Sequence, residues 1–265
     1  MVIPRFYVPQ PLAIGQRLSL PEAVANHAVR VLRLQPGDPL VLFNGEGGAY
    51  AGRLLEREQS PKEPAPKKQR DSRNSRQTVA DVMLEAFQPD DRASSLRVSL
   101  WQGVSAAERM DYTWQKSVEL GVHRCVPIET RRCVTRLDAA RAEKRHAHWQ
   151  GVIVSAAEQC GLNLLPELVP VQTLTQALAQ PVGAGVRVML DPDATESFPV
   201  WLERQQGLTD LTILIGPEGG FAPEEIDAAK AEGFLCFRLG PRVFRTETAG
   251  PVALAVTQAI AGDLR

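Results

Sequence analysis

The chain has 265 residues, 44% of them hydrophobic and 23% charged, and 30 basic against 31 acidic side chains give a formal net charge of −1. A chain of this length buries one large core or two ordinary ones. The neutral total argues against a uniformly basic nucleic-acid binder. No apolar stretch approaches the roughly 20 residues of a membrane helix. The amino terminus lacks the apolar core of a signal peptide, so we expect a cytoplasmic protein without a membrane partner.

The first part of the chain predicts a small β-barrel. Short apolar runs separated by turn residues are typical of antiparallel strands, and one helix at about 23–32 interrupts them. The predicted strands lie at 17–20, 39–43 and 49–55.

A polar segment follows these strands. Between Ser60 and Gln77, Ala65 is the one apolar residue, so the segment cannot bury enough surface to offset its ordering entropy. We therefore expect residues 60–78 to be a mobile basic insertion. Residues 79–85 then return as another strand, which gives a first domain at 1–88.

From Leu96 onward, predicted strands alternate with helices, which is typical of a mostly parallel sheet with flanking helices. The polar stretch 88–92 marks the linker, so the second domain spans 93–265. Its predicted strands lie at 96–101, 125–128, 186–190, 211–215 and 234–239. Helices are predicted at 109–120 and 138–160, the second with an apolar stripe at Trp149, Val152, Ile153, Ala156, Ala157 and Cys160.

The cysteines and histidines give no support for a metal site. The four cysteines, Cys125, Cys133, Cys160 and Cys236, contain no C-x-x-C pair. His146 and His148 are two positions apart in a predicted helix and point to different faces. We expect reduced thiols and no bound metal.

A glycine-rich turn, Gly216-Pro217-Glu218-Gly219-Gly220, joins the strand at 211–215 to a helix that begins near Pro223. Open α/β sheets bind ligands at such turns, although a tight connection that binds nothing has the same pattern. A phosphate here would meet Glu218, Glu224 and Glu225. The turn therefore favours a cationic or hydroxyl-rich ligand over a nucleotide diphosphate.

A second turn, beginning at Gly240, leads through Arg242, Arg245 and Glu247 into a final helix with Thr246 or Thr248 as its predicted N-cap. Alone, these charges could be an exposed ion-pair cluster. Together with Asp191-Pro192-Asp193 after the strand at 186–190, they place three loops at one edge of the sheet. That convergence favours a binding site.

These residues carry a resemblance to a known family. The strings 215–220 and 239–249, with Gln115–Val122, Glu158–Gly161, Pro4–Tyr7 and Asn26–Arg33, resemble the SPOUT methyltransferases, whose cofactor pocket lies in a carboxyl-terminal trefoil knot. More narrowly, the sequence is similar to the bacterial family that methylates N3 of one uridine in 16S ribosomal RNA. The sequence departs from that family's pattern at Leu162 and Ala222.

The resemblance implies a PUA-like barrel followed by a knotted α/β domain, S-adenosylmethionine as cofactor, and a homodimer acting on 16S rRNA in the small ribosomal subunit. It implies that Arg245 stabilises the anionic uracil and that Glu247 accepts its proton, although both could instead serve the start of the helix. The implied cofactor-binding residues are Leu190, Ile215, Gly216, Glu218, Gly219, Gly220, Leu239, Gly240, Arg242 and Phe244.

RNA would also need phosphate contacts, for which Arg5, Arg30, Arg33 and Lys116 are the candidates, with the Arg131-Arg132 pair. The charge distribution agrees, since residues through Thr78 hold 12 basic and 7 acidic side chains against 18 and 24 in the remainder. Two alternatives stay open. One is a related knotted methyltransferase acting on another ribosomal or transfer RNA site, and the other is an RNA-binding assembly factor without catalysis.

Overall fold

The structure, a computed structural model, describes residues 3–56, 78–180 and 185–264. Contacts divide the chain into two compact units. Unit 1 comprises residues 1–92 and the short segment 161–164, and unit 2 comprises residues 93–160 and 165–265. The predicted insertion at 60–78 lies, apart from Thr78, outside the described residues.

Unit 1 contains one five-stranded sheet with the order β1-β3-β4-β5-β2, in which β1 and β3 are parallel and the other pairs antiparallel. A short helix, α1 (Glu22–Asn26), continues as a π-helical turn over His27–Val31. The strands are β1 (Arg5–Tyr7), β2 (Arg17–Ser19), β3 (Pro39–Phe43), β4 (Ala49–Leu54) and β5 (Asp81–Gln88).

Buried and less buried residues alternate along β2 and the first half of β5, whereas the last four residues of β3 are all buried. Leu18 is the buried residue of β2, and Val82 and Leu84 are the buried residues of β5. They pack with Phe6 and Leu42 in a single core. The return of the chain as β5, paired with β4 and β2, confirms the predicted strand. The sheet is a half-barrel that is open between β1 and β2, the strands at the two ends of the strand order.

Unit 2 has seven strands in one sheet, ordered β12-β10-β11-β6-β7-β8 with β9 also paired to β7, and every pair is parallel. This confirms the predicted α/β class. The strands are β6 (Arg97–Gly103), β7 (Arg124–Glu129), β8 (Glu167–Leu168), β9 (Gln172–Thr173), β10 (Val186–Leu190), β11 (Asp210–Ile215) and β12 (Leu235–Phe237). The helices are α2 (Ala107–Glu119), α3 (Ala139–Cys160), α4 (Leu174–Leu178), α5 (Phe198–Leu202), α6 (Pro223–Ala231) and α7 (Thr246–Ala261).

Helices α2 and α3 pack against each other through their apolar faces. Trp114 and Trp149, both fully buried, meet edge to face with ring centroids 6.3 Å apart. Of the predicted stripe on α3, Trp149, Ile153, Ala156 and Ala157 are buried, whereas Val152 and Cys160 are only partly covered. The stripe is therefore narrower than the periodicity indicated.

The parallel register brings the carboxyl ends of three strands together. Leu190 pairs with both Ile215 and Phe237, which end β11 and β12. The predicted strand at 234–239 is too long, because Arg238 leaves the sheet and exchanges backbone hydrogen bonds with Glu196 and Phe198. The loops after β10, β11 and β12 consequently meet at one edge, where the resemblance places the knot.

Within the described residues, no helix is long and apolar enough to cross a membrane, and no group of three potential metal-ligating side chains forms. The four cysteines are free thiols. Burial raises the pKa of the Cys125 and Cys236 thiols, so both are held in the protonated, unreactive form.

Candidate active site

A cavity of about 570 Å³ opens at the carboxyl edge of the unit 2 sheet. Its walls come from the loops that follow β10, β11 and β12, with the first turns of α2 and α7. Leu190, Ile215 and Leu239 supply apolar surface where the strands end. A volume of this size is within the range typical of small-molecule sites.

The sequence-predicted residues gather in this cavity. Arg245 and Glu247 line it, together with Leu190, Ile215, Gly216, Glu218, Gly220, Leu239, Gly240, Arg242 and Phe244. Gly219 is the exception: it faces the β7–α3 loop, where an added Cβ would lie 2.9 Å from the carbonyl oxygen of Arg132. Gly219 therefore has a packing role in the first loop rather than a place in the cavity wall.

The first glycine loop, Gly216–Gly220, packs closely on the end of β6. A Cβ added to Gly103 would lie 2.4 Å from the backbone nitrogen of Pro217 and 2.8 Å from the carbonyl carbon of Gly216. Distances this short are not tolerated between a Cβ and backbone atoms, so position 103 must be glycine for the loop to hold its place. The turn itself closes at Gly220, which has a φ of +66°.

The three carboxylates near the first loop have separate environments. Of the three, Glu218 alone lines the cavity. Glu224 forms an ion pair with Arg131 at 3.2 Å, and buried Glu225 accepts hydrogen bonds from the backbone N–H groups of Arg131 and Ala222. The expectation that a ligand would meet all three charges is therefore wrong. Ala222, the N-cap residue of α6, has no side-chain acceptor, and Glu225 instead accepts the hydrogen bond from the Ala222 backbone N–H.

The second loop is joined to the first by a buried hydrogen-bond chain. The Gln102 side-chain amide donates to Thr246 Oγ1 at 2.8 Å, and that hydroxyl donates to the carbonyl oxygen of Gly216 at 2.6 Å. The N-cap of α7 is Arg245, with no side-chain capping bond. The predicted capping role of Thr246 is thus wrong, since its hydroxyl ties the two loops together instead.

Sequence reasoning missed Arg109, which lies in the first turn of α2 and lines the cavity. Its Nη1 is 2.7 Å from Glu218 Oε1, and its Nε is 3.8 Å from Glu247 Oε1. Arg132, Asp191 and Asp193 also line the cavity. A match of residue types along the chain could not have located Arg109, because it precedes Glu218 by more than a hundred positions.

Glu247 is the most enclosed charged group of this cluster, with its side chain 15% exposed. Its Oε2 is buried and has no hydrogen-bond partner among the described residues. A buried acceptor without a partner is unfavourable unless a ligand or water supplies the donor. Glu247 thus joins the cavity wall with one oxygen close to Arg109 and the other enclosed by the protein.

Of the predicted RNA-contacting residues, Arg132 lines the cavity, whereas Arg5, Arg30, Arg33, Lys116 and Arg131 lie outside it. In unit 1, Arg5 donates to Asn163 Oδ1 and lies 5.2 Å from the centre of the Phe43 ring. Arg30 and Arg33 are exposed on the turn that follows α1. In unit 2, Lys116 forms an ion pair with Glu119 on the same helix at 2.8 Å.

Comparison with known proteins gives two family matches. The sequence profile of the RNA methyltransferase domain matches residues 92–258, and that of the RNA methyltransferase PUA domain matches residues 20–59. Among curated relatives, ribosomal RNA small subunit methyltransferase E from Buchnera aphidicola (subspecies Schizaphis graminum) is 29% identical over 262 residues, covering 99% of this chain and 98% of its own.

Two solved structures match over the full length of both chains. The ribosomal RNA small subunit methyltransferase E of Neisseria gonorrhoeae, bound to S-adenosyl methionine, is 32% identical with a TM-score of 0.85. A methyltransferase structure from Legionella pneumophila, also with the cofactor bound, is 33% identical with a TM-score of 0.86.

Proposed function

We propose that this chain, which belongs to the RNA methyltransferase family, transfers a methyl group from S-adenosylmethionine to N3 of one uridine in the 16S RNA of the small ribosomal subunit. The observation that carries the proposal is the cavity, in which three loops separated along the sequence place apolar walls beside Arg245 and Glu247. Full-length similarity to a small-subunit methyltransferase bound to the same cofactor supports it.

The residues of the cavity fit this cofactor. Its sulfonium is cationic, and the carboxylates of Asp191, Asp193, Glu218 and Glu247 line the cavity. Its adenine is a flat aromatic ring, for whose faces Leu190, Ile215 and Leu239 offer apolar surface. Gly216 leaves little room for a Cβ, since one would lie 3.1 Å from the Phe221 ring.

In this proposal the two glycine loops hold the cofactor between them. Gly216, Glu218 and Gly220 do so from the first loop, and Gly240, Arg242 and Phe244 from the second. Gly219 packs on the Arg132 backbone, on the side of the first loop that faces the β7–α3 loop. The bound cofactor supplies an electrophilic methyl group, whose bond to sulfur breaks with the electron pair remaining on sulfur.

The chain's own side chains must then make N3 of uracil nucleophilic. This nitrogen carries a proton at neutral pH, so a general base is required. The Glu247 carboxylate accepts the N3 proton, which leaves the electron pair on nitrogen to form the new bond to carbon. Arg245 offsets the negative charge that develops on the ring. No metal ion is needed for these steps.

Unit 1 would bind the RNA through groups that take no part in the reaction. The profile of the PUA domain covers the turn that carries Arg30 and Arg33, and both side chains are exposed. Salt bridges from such residues to phosphates position an RNA without reading its sequence. In unit 2, exposed Arg132 and half-buried Lys116 would contribute further basic groups.

The proposal extends to a homodimer that acts in the cytoplasm on the assembling or assembled small subunit. Sedimentation of the purified protein across a range of concentrations tests the dimer. Methylation assays that compare naked 16S rRNA with isolated small subunits test which form of the RNA is the substrate.

Mass spectrometry of 16S rRNA from cells with and without the gene tests the main proposal. We expect one 3-methyluridine to disappear with the gene and to return when purified protein and S-adenosylmethionine are added to the unmodified RNA. Methylation confined to another RNA would favour a related methyltransferase. Calorimetry showing RNA binding but no binding of S-adenosylmethionine would favour a non-catalytic assembly factor.

A further inference from the structure

Arg109 connects two parts of the cavity that are distant in sequence. From the first turn of α2, its guanidinium reaches Glu218 in the loop after β11 and Glu247 in the first turn of α7. Glu218 Oε1 also lies 3.3 Å from the backbone nitrogen of Ala106, so the start of α2 holds this carboxylate at two points. The three elements thus meet at a single guanidinium.

The ion pairs of Arg109 are better explained by positioning than by stability. Its side chain is 39% exposed, and ion pairs that are this accessible contribute about 0–1 kcal/mol to folding. Glu218 and Glu247 nevertheless line the same cavity with like charges, and would repel each other without a cation between them. Arg109 therefore determines where the two carboxylates lie.

Arg109 also makes the two oxygens of Glu247 unequal. Its Nε approaches Oε1 at 3.8 Å, whereas Oε2 is buried without a partner among the described side chains. A carboxylate held by one oxygen leaves the other as a hydrogen-bond acceptor in a defined direction. Groups that act on a proton must lie within hydrogen-bond reach of it, so this orientation has a direct effect on rate.

We propose that Arg109 is a positioning residue of the methyl-transfer site, which holds the Glu247 carboxylate through Oε1 and so fixes its place relative to the first loop and the target base. This inference rests on the proposed function. Arg109 itself touches neither the base nor the transferred methyl group. It acts through Glu247, and it couples the position of Glu247 to the first loop through Glu218.

Single-turnover methylation of unmodified 16S rRNA, at saturating RNA and S-adenosylmethionine, tests this role. We expect Arg109→Gln to lower the rate by about 100-fold, the effect of misplacing a reacting group by about 1 Å. Arg109→Lys should recover part of the rate, because an ammonium can pair with one carboxylate but not bridge both. The matched control is Arg141→Gln, which removes an exposed arginine paired with Asp138 beside α3 and should leave the rate within about twofold of wild type.

Chemical rescue separates positioning from a role in the fold. We expect millimolar guanidinium to restore part of the rate of Arg109→Ala but none of the rate of Glu247→Gln, at unchanged melting temperature. An Arg109→Gln rate within about twofold of the Arg141→Gln rate overturns the inference, as does a loss without rescue accompanied by a lower melting temperature. If wild-type protein methylates no 16S rRNA, the proposed function itself fails, which is a distinguishable result.

Discussion

The cavity of unit 2 and the exposed turn of unit 1 both present arginines, but in different settings. In the cavity, Arg109 lies between Glu218 and Glu247, and each carboxylate is held at a defined distance. In unit 1, Arg30 and Arg33 lie exposed on the turn after α1. The arginine of the cavity holds two carboxylates in defined positions, whereas the arginines of the exposed turn contribute positive charge to the surface.

This contrast leads to different expectations for substitutions. A change in the cavity should alter the rate of methyl transfer by a large factor that depends little on salt, because geometry is lost. A change on the exposed turn should alter RNA affinity modestly and in a way that depends on the salt concentration. Among the substitutions that test this difference between the two regions, we expect the largest loss of methyl-transfer rate at Glu247.

Glu247→Gln should lower the single-turnover rate by about 10² to 10⁴-fold, the usual contribution of a general base. Its matched control is Glu224→Gln, because Glu224 lies in the same region but pairs with Arg131 outside the cavity. Rapid-quench measurement of methyl transfer provides the comparison. Equal rates for the two variants would show that Glu247 serves only the start of α7.

Gly103→Ala should displace the first loop, because the added Cβ would lie 2.4 Å from Pro217 N. We expect a stability loss of about 1–3 kcal/mol, as for other overpacked sites, and at least about tenfold weaker binding of S-adenosylmethionine, or about 1.4 kcal/mol. Gly151→Ala on α3 is the control, since no atom lies within 4 Å of its added Cβ. Calorimetry and thermal melting measure both effects, and unchanged cofactor affinity in Gly103→Ala would contradict the assigned place of the loop.

Substitution of both Arg30 and Arg33 by Ala should weaken RNA binding and reduce the slope of log K against log salt by about 0.7 for each phosphate that is no longer neutralised. The single-turnover rate at saturating RNA should stay within about twofold of wild type, since geometry at the cavity is untouched. Arg53→Ala is the control, because Arg53 is a basic residue of the same unit that lies on β4, outside this turn. A double variant with an unchanged salt slope would exclude this turn from the RNA-binding surface.

Asp81→Asn should have the smallest effect, on the stability of unit 1 alone. Hydrogen bonds from Ser19 and then Arg17 lower the pKa of Asp81 below its ordinary value. A lowered pKa in the folded state stabilises the protein above the unfolded value of about 3.9, and this contribution is lost as pH falls through the folded value.

The urea midpoint of Asp81→Asn should therefore lie below that of wild type near neutral pH, and the difference should shrink as the pH falls below about 4. Asp227→Asn, at an exposed position of α6, is the control. A difference that is independent of pH would mean that the hydrogen bonds of Asp81 do not depend on its charge.

The sequence predicted the strands of the cavity edge well, because β10 and β11 are mostly apolar and each is followed by turn-forming residues. The bounds of β10 are those predicted, and β11 begins one residue earlier. The short elements β1, β8, β9, α4 and α5 were missed, since two to five residues carry no periodicity. The last strand was predicted too long because Arg238 continues in an extended form outside the sheet.

The convergence of the three cavity loops could be predicted because loops after neighbouring parallel strands meet at one edge, and the individual lining residues were implied by the family resemblance. The hydrogen bonds and ion pairs among them could not. Gln102 is an ordinary polar residue in the sequence, yet it is fully buried and bonded to Thr246. Similarly, the pairing of Arg109 with two carboxylates depends on the direction in which α2 leaves the sheet. The local sequence does not determine that direction.

The hydrogen bond between Gln102 and Thr246 joins residues 144 positions apart. Closing so large a loop costs more chain entropy than closing the hairpin between β3 and β4, and pairings of long sequence separation form slowly during folding. The two walls of the cavity come together only when this closure is complete. We therefore expect the capacity to bind a ligand to arise late in the folding of unit 2, which the recovery of cofactor binding after refolding would measure.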